Sequence, residues 1–134
     1  MTPAEALALG QRAVECPRWR WMPGMLILGR WRVDIDPERP NRGPGWECGP
    51  NGETWWEEPD ADDIPDVRDP ATLGCLLALV REAWVDPTAH VVPTADDSGT
   101  ETWVAWVFPP AEVPRTFPGG SEAEALLAAL AAAP

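Results

Sequence analysis

The spacing of apolar residues predicts three helices, and the second of them has the clearest pattern. Asp69 followed by Pro70 is typical of a helix start, because an aspartate side chain caps free amides and proline suits the first turn. Apolar residues then recur every three or four positions, as on one helical face, at Leu73, Leu76, Leu77, Val80 and Trp84. We therefore expect this helix to lie at the centre of the core.

Capping residues also mark the two terminal helices. Thr2 and Glu5 have the spacing of a capping box, in which each side chain bonds to the backbone amide of the other residue. Ser121 and Glu124 repeat this spacing in the last part of the chain. The first helix is expected to end near Cys16. The apolar stripes consist of Ala6, Leu9, Ala13 and Val14 in the first helix and of Leu126, Leu127 and Leu130 in the last.

Residues 19–36 are expected to form β structure. An apolar run at 25–28 predicts one strand, and an alternation of polar and apolar residues at 30–35 predicts another. Successive side chains of a strand point to opposite faces. One face of the second strand would therefore carry Trp31, Val33 and Ile35.

Two hairpins are predicted where strand-like segments flank turn residues. The first joins residues 46–48 to 53–56 across a turn of Gly, Pro and Asn. The second joins residues 90–95 to 101–108, and its later strand is apolar on both faces. We expect that strand to be central or covered on both sides. The proline-rich residues 108–118 are expected to form a loop.

The order of these elements predicts a single α+β domain over residues 1–134. A small antiparallel sheet of about two hairpins would pack with three helices, in the order helix, strands, helix, hairpin, helix. The hydrophobic fraction of 45% is sufficient for a core without disulfides. Three cysteines at unpaired spacings, no signal-like N-terminus and no membrane-spanning apolar run predict a soluble, cytoplasmic protein.

Charge is distributed unevenly along the chain. The formal charge is −12, which makes direct binding of nucleic acid unfavourable because phosphate binding depends on cations. Residues 1–52 contain seven Arg and six acidic residues, whereas residues 53–134 contain three Arg and sixteen acidic residues. The second part of the chain therefore carries the acidity, and residues 53–69 carry the densest share of it.

The acidic segment, together with two adjacent tryptophans, is the predicted partner-binding site. Large aromatic residues often anchor protein interfaces, and carboxylates favour a basic surface on the partner. We expect a partner protein with a basic nucleic-acid-binding surface. The predicted contact residues are Trp55, Trp56, Glu57, Glu58, Asp60, Asp62, Asp63 and Asp66.

An alternative binding site lies in two groups that alternate arginine with tryptophan. On strands, the arginines would form a cationic patch for phosphates, while a tryptophan would stack on the base of a small nucleotide. The competing interpretation is that the tryptophans fill the core and the arginines pair with the excess acid of the chain. The residues concerned are Arg18, Trp19, Arg20, Trp21, Arg30, Trp31 and Arg32.

The sequence has no recognisable catalytic or metal-binding motif. His90 is the only histidine, and the two serines, Ser98 and Ser121, occupy a turn and a cap position. Known nucleophile, zinc and phosphate-loop patterns do not occur. The carboxylates of residues 60–66 could offer oxygen ligands to Ca²⁺ or Mg²⁺, but their spacing matches no EF-hand loop. We therefore predict a non-enzymatic protein without catalytic residues, cofactor or metal.

Three segments resemble small uncharacterised proteins of tailed phages and prophages. They read LGCLLALVREAW at 73–84, SEAEALLAAL at 121–130 and WRWMPGM at 19–25. Such proteins resemble the phage α-β-α sandwich domain, in which helices cover a small sheet. The proline-rich segments 36–45 and 108–118 depart from that pattern. The resemblance implies no catalytic residues.

The resemblance implies a context for the predicted binding. Small phage proteins without enzymatic signatures often act on host machinery in the cytosol of the host cell. We therefore expect a phage-encoded inhibitor of a host defence system, of the anti-CRISPR type. The alternatives are a sponge that binds an immune signalling nucleotide through the arginine and tryptophan groups, and a structural or assembly protein of the virion.

Overall fold

The computed structural model describes residues 1–50 and 52–134 and confirms both the α+β class and the predicted order of elements. Within these residues there are three helices, α1 (Pro3–Glu15), α2 (Pro70–Ala83) and α3 (Glu122–Ala131). The five strands of the same part of the chain are β1 (Trp46–Cys48), β2 (Trp55–Glu57), β3 (His90–Ala95), β4 (Glu101–Val107) and β5 (Arg115–Gly119). Asn51, in the first predicted turn, lies outside the described residues.

The helices begin at the predicted caps. The Thr2 hydroxyl accepts a hydrogen bond from the Glu5 amide, and the Glu5 carboxylate accepts one from the Thr2 amide at 2.6 Å, which completes the first capping box. Ser121 accepts from the Glu124 amide at 3.2 Å. The Glu124 carboxylate, however, accepts from Gly120 and not from the cap amide. The second predicted box is therefore only half formed.

The strands form two antiparallel sheets. β1 and β2 pair as the first predicted hairpin, with Cys48 opposite Trp55. The second sheet has the order β3-β4-β5, so that β4 is central as predicted. The prediction of a loop at 108–118 was wrong at its end, because β5 pairs with β4 from Arg115 onwards. An edge strand tolerates Pro118 because only one side of such a strand carries ladder hydrogen bonds.

The two faces of the larger sheet have different neighbours. α3 packs on the face that carries Ala105 and Val107, and both of these residues are buried. The opposite face carries Trp106 and Phe108, which are both partly exposed. β4 is therefore central but covered on one side only.

Residues 19–36 do not form the two predicted strands. The chain turns at Gly29, whose φ is 71°, and the residues on either side of this turn meet several different segments, so no ladder develops. Alternation does not define two faces here either, since Val33 is buried while Trp31 and Ile35 are 59% and 45% exposed. Among the described residues, the pairing of this stretch consists of isolated bridges: Leu26 with Arg32, Ile27 with Pro65, and Asp34 with Gly45.

α2 lies in the core, as its pattern predicts, and α3 lies beside it. Trp84, directly after α2, donates its indole N–H to the Ala129 carbonyl at 2.8 Å. Its ring contacts Phe117, with 5.7 Å between ring centroids. The Arg115 guanidinium lies over the Trp84 ring, 5.0 Å from its centroid. These contacts join α2, α3 and β5.

A hydrogen-bond network joins the irregular segment before β1 to the start of α2. Arg32 donates two bonds of 3.0 Å to Asp69. Asp69 accepts from the Thr72 amide at 2.8 Å and so caps α2, while the Thr72 hydroxyl accepts from the Leu26 amide at 2.9 Å. The hydrogen bonds from Arg32, followed by those from Thr72, lower the pKa of Asp69 from 3.8 to about 2.

We predict that the substitution Asp69→Asn lowers the free energy of unfolding at pH 7 and that this difference disappears in acid. Asparagine still caps a helix, so that the variant removes mainly the charge. Because the pKa of Asp69 is depressed in the folded state, its stabilisation is complete above about pH 4 and is lost as the pH falls through about 2. Urea unfolding of both proteins across this range would measure the difference. An equal deficit at pH 7 and pH 2 would contradict the ion pair.

Gly10 allows residues 64–65, which lie within the acidic segment, to approach α1 closely. A side-chain carbon at Gly10 would lie 2.7 Å from the carbonyl oxygen of Pro65 and would overlap the Ile64 side chain. Gly74 in α2 provides the opposite case, since nothing lies within 4 Å of a carbon placed there. A side chain would therefore clash at Gly10 and would fit without contact at Gly74.

We predict that Gly10→Ala and Gly74→Ala change stability in opposite directions. Gly74→Ala should raise the free energy of unfolding by about 0.5–1 kcal/mol, because alanine loses less backbone entropy in a helix. Gly10→Ala should lower it by about 1–3 kcal/mol, because the added carbon overpacks the contact. Urea unfolding of the two variants measures both effects. Stabilisation by both substitutions would show that the segment does not lie against α1.

Candidate functional site

The acidic residues that follow β2 divide into buried and exposed carboxylates. Asp63 is 5% exposed, accepts from the Asp60 amide at 2.9 Å and pairs with Arg30 at 3.3 Å. Asp66 is also buried, and it accepts two hydrogen bonds of 2.9 Å from Arg68, which lower the pKa of Asp66. These two members of the predicted partner-binding site are therefore engaged within the chain.

Glu58, Asp60 and Asp62 are the exposed acidic residues of the same segment. The Asp62 amide donates to the Asp60 carboxylate at 2.8 Å, which fixes the local turn. The Leu28 amide donates to the Ile64 carbonyl at 2.7 Å and holds the end of the segment. Exposed carboxylates on a fixed backbone lose little conformational entropy when a partner binds.

A groove of about 830 Å³ lies between α1 and residues 60–64. We call it the acidic groove. Its apolar lining is formed by Leu7, Val14, Trp19, Trp21 and Ile64, and its acidic lining by Glu15, Asp60 and Asp62. The structure thus brings carboxylates of one predicted site next to tryptophans of the other.

The two tryptophans of the acidic groove have fixed positions. Their rings meet edge to face, with 5.5 Å between centroids and 81° between planes. The Trp19 amide donates to the Cys16 carbonyl at 2.9 Å, and this turn leads the chain from α1 to the tryptophans. Both rings pack against the hydrophobic core. Trp19 and Trp21 are therefore presented on a rigid support.

The sequence pattern did not reveal the contribution of α1 to this groove. Leu7, Gln11 and Val14 are spaced by four and three residues, so they form a second stripe beside the buried stripe of the helix. Val14 was expected in the core stripe, and it is instead half-buried in the wall of the groove. The signal that could have indicated this wall is Leu7, an apolar residue outside the main stripe.

Trp55 and Trp56, the predicted anchors, lie in another depression. Trp55 is 49% exposed and donates its indole N–H to Glu57 at 2.9 Å. Trp56 is half-buried and donates to the Gly43 carbonyl at 3.0 Å. Among the described residues, their cleft of about 360 Å³ shares no lining residue with the acidic groove. The charged residues that line this cleft are Asp36, Glu38, Arg39, Arg42 and Glu47.

Three of the four arginines in the predicted nucleotide site bond to carboxylates. Arg20 donates to both carboxylate oxygens of Glu82, at 2.8 and 2.6 Å. Arg30 and Arg32 bond to Asp63 and Asp69, which are both largely buried. The interpretation in which arginines pair with the chain's own acid describes these three residues. Arg18 and Trp31 are exposed as well.

His90 lies on the open face of the larger sheet. Its ring stacks on Phe108, with 5.9 Å between centroids, and Trp106 continues the stack at 6.2 Å from Phe108. The Nδ1 atom lies 3.0 Å from the Thr88 carbonyl oxygen. In the part of the chain that the structure describes, no group of three or more His, Cys, Asp or Glu residues is arranged to hold a metal ion.

The last two findings concern the helices of the protein and its comparison with known proteins. Across residues 1–50 and 52–134, every helix is too short or too polar to cross a membrane. Comparison with known proteins gave no match to a family model, to a curated protein or to a solved structure.

Proposed function

We propose that this protein is a non-enzymatic binding protein whose acidic groove docks onto a basic surface of a partner protein. The observation that supports this most directly is the placement of Asp60 and Asp62 beside Trp19 and Trp21 in a single groove. Buried aromatic residues within a charged rim are typical of protein interfaces. The rigid backbone of the acidic segment further favours binding.

The charge of the chain supports a cationic partner. A formal charge of −12 attracts basic surfaces over a long range and accelerates their encounter. Carboxylates on a rigid scaffold compete with phosphates for a surface lined by Arg and Lys. The proposed partner is therefore a protein that binds nucleic acid through the same surface.

The proposal extends to a biological setting. A protein that occupies a nucleic-acid-binding surface blocks it, so we propose an inhibitor of a host defence system, of the anti-CRISPR type, encoded by a phage and acting in the host cytosol. The resemblance of residues 19–25, 73–84 and 121–130 to phage proteins supports this setting. The acidic groove supports the mode of action.

The ion pairs of the arginine group give the nucleotide sponge less support. A phosphate bound by Arg30 or Arg32 would have to displace a carboxylate from it. Breaking a buried pair on one side costs about 3–5 kcal/mol, because an uncompensated charge is left behind. The side chains of Asp63 and Asp69 are only 5% and 12% exposed, whereas those of Arg30 and Arg32 are 59% and 47% exposed, so only part of this penalty applies.

We predict that Asp60→Asn combined with Asp62→Asn weakens partner binding about tenfold at low ionic strength, because two attractive charges are lost. Asparagine keeps the acceptor that Asp60 offers to the Asp62 amide. The matched control is Asp97→Asn with Glu101→Gln, which removes two exposed charges at the turn between β3 and β4. Immobilised variants would be used to capture proteins from bacterial cytosol over a salt series, with quantification by mass spectrometry.

The expected result is a set of nucleic-acid-binding proteins that the groove variant loses and the control variant keeps. Single-stranded DNA added as a competitor should release them, because it would occupy the same basic surface. Added salt should also release them, since screening weakens attraction between exposed charges. Capture that is unaffected by salt, by DNA and by the groove variant would contradict the proposed function.

A further inference from the structure

We infer that the acidic groove receives one amphipathic α-helix of the partner, whose apolar side chains contact the apolar lining of the groove and whose Arg or Lys side chains lie beside its carboxylates. This inference rests on the proposed function, because it specifies the element that the groove binds.

The α1 wall of the groove offers apolar contacts in a helical arrangement. Leu7 is 40% exposed although it is a large apolar residue, and Val14 follows two turns later on the same side of α1. The two positions are about 10 Å apart along the axis, at 1.5 Å per residue. Two turns of a partner helix cover the same length. Trp19 and Trp21 extend the apolar surface across the groove.

The charges of the groove favour a partner whose binding surface is positively charged. Glu15, Asp60 and Asp62 line it, and its lining contains no cation within the described residues. Glu15 also lies in the last turn of α1, where the helix dipole places partial negative charge. Arg30, which lines the adjoining depression, is already paired with Asp63. A purely apolar or acidic helix would therefore bind less well than a basic one.

The walls of the groove favour a helix over an extended strand. A strand binds by adding main-chain hydrogen bonds to a free sheet edge. One wall here is α1, whose backbone is bonded internally, and in the other wall the amides of Asp60, Asp62 and Asp63 bond within their own segment. The Ile64 carbonyl accepts from Leu28. An occupant that satisfies its own backbone, as a helix does, fits these walls.

The test uses three synthetic peptides of about 15 residues, a length at which helices begin to form in water. The first has leucines on one helical face flanked by arginines, the second has the same composition in an order that scatters the leucines, and the third is an oligo-arginine of equal charge. Binding to the full chain is measured by calorimetry and tryptophan fluorescence. We expect the first peptide to bind at least about tenfold more tightly than the other two, because apolar burial adds to the charge term.

Variants of the groove locate the binding. Leu7→Gln with Val14→Gln should remove most of the advantage of the first peptide, whereas Val92→Gln with Val113→Gln, at exposed apolar sites elsewhere, should keep it. Gln11→Arg places a cation in the groove wall on an exposed helical position and should weaken the first peptide at least about tenfold. If the first pair impairs folding, as judged by circular dichroism, this variant still locates the bound peptide in the groove, and the comparison of the three peptides tests the helix.

The outcomes separate this inference from the proposed function. If all three peptides bind equally, and binding depends on Asp60 and Asp62 but not on Leu7 or Val14, the helix inference is overturned and the proposed function stands. If Asp60→Asn with Asp62→Asn leaves the binding of every cationic peptide unchanged, the proposed function fails as well. Preferential binding of the first peptide that both groove variants weaken supports both.

Discussion

The bidentate bond between Arg32 and Asp69 is the contact on which the candidate site depends. It fastens the irregular segment before β1 to the start of α2, and Thr72 adds a second connection to Leu26. Residues 26–28 in turn pair with residues 64–66, through Leu26 and Leu28. Through this pairing, residues 64–65 of the acidic segment lie against Gly10 of α1. The Arg32–Asp69 pair therefore helps to fix a stretch without regular secondary structure, and this stretch holds one wall of the acidic groove in place.

Carboxylates serve two purposes in this chain, and burial separates them. Asp63, Asp66 and Asp69 are largely buried and pair with arginines, so they stabilise the fold. Asp60 and Asp62 are only a few residues away and face solvent. Because the chain has 22 acidic residues and 10 arginines, many carboxylates are left without a cation even when most arginines are paired. This surplus is what a cationic partner would meet.

The helices and the second hairpin could be predicted from sequence because their signals are local. A cap followed by a 3.6-residue repeat predicts a helix within its own stretch of chain, as Asp69 and the leucines of α2 show. Strand signals at 25–28 and 30–35 were misleading, since a strand needs a partner and these residues meet several. β5 was missed for the converse reason. Its prolines indicate a loop, but an edge position beside β4 accepts them.

The sequence by itself determined the α+β class, the order of the elements, the helix starts and the concentration of acid after residue 53. These features follow from composition and from residues close together in the chain. Only the tertiary structure decided which carboxylates are free, that Trp19 and Trp21 rather than Trp55 and Trp56 accompany them, and that α1 supplies the opposite wall. The physical reason is that exposure and pairing depend on contacts between distant segments, such as Arg30 with Asp63, which no local pattern records.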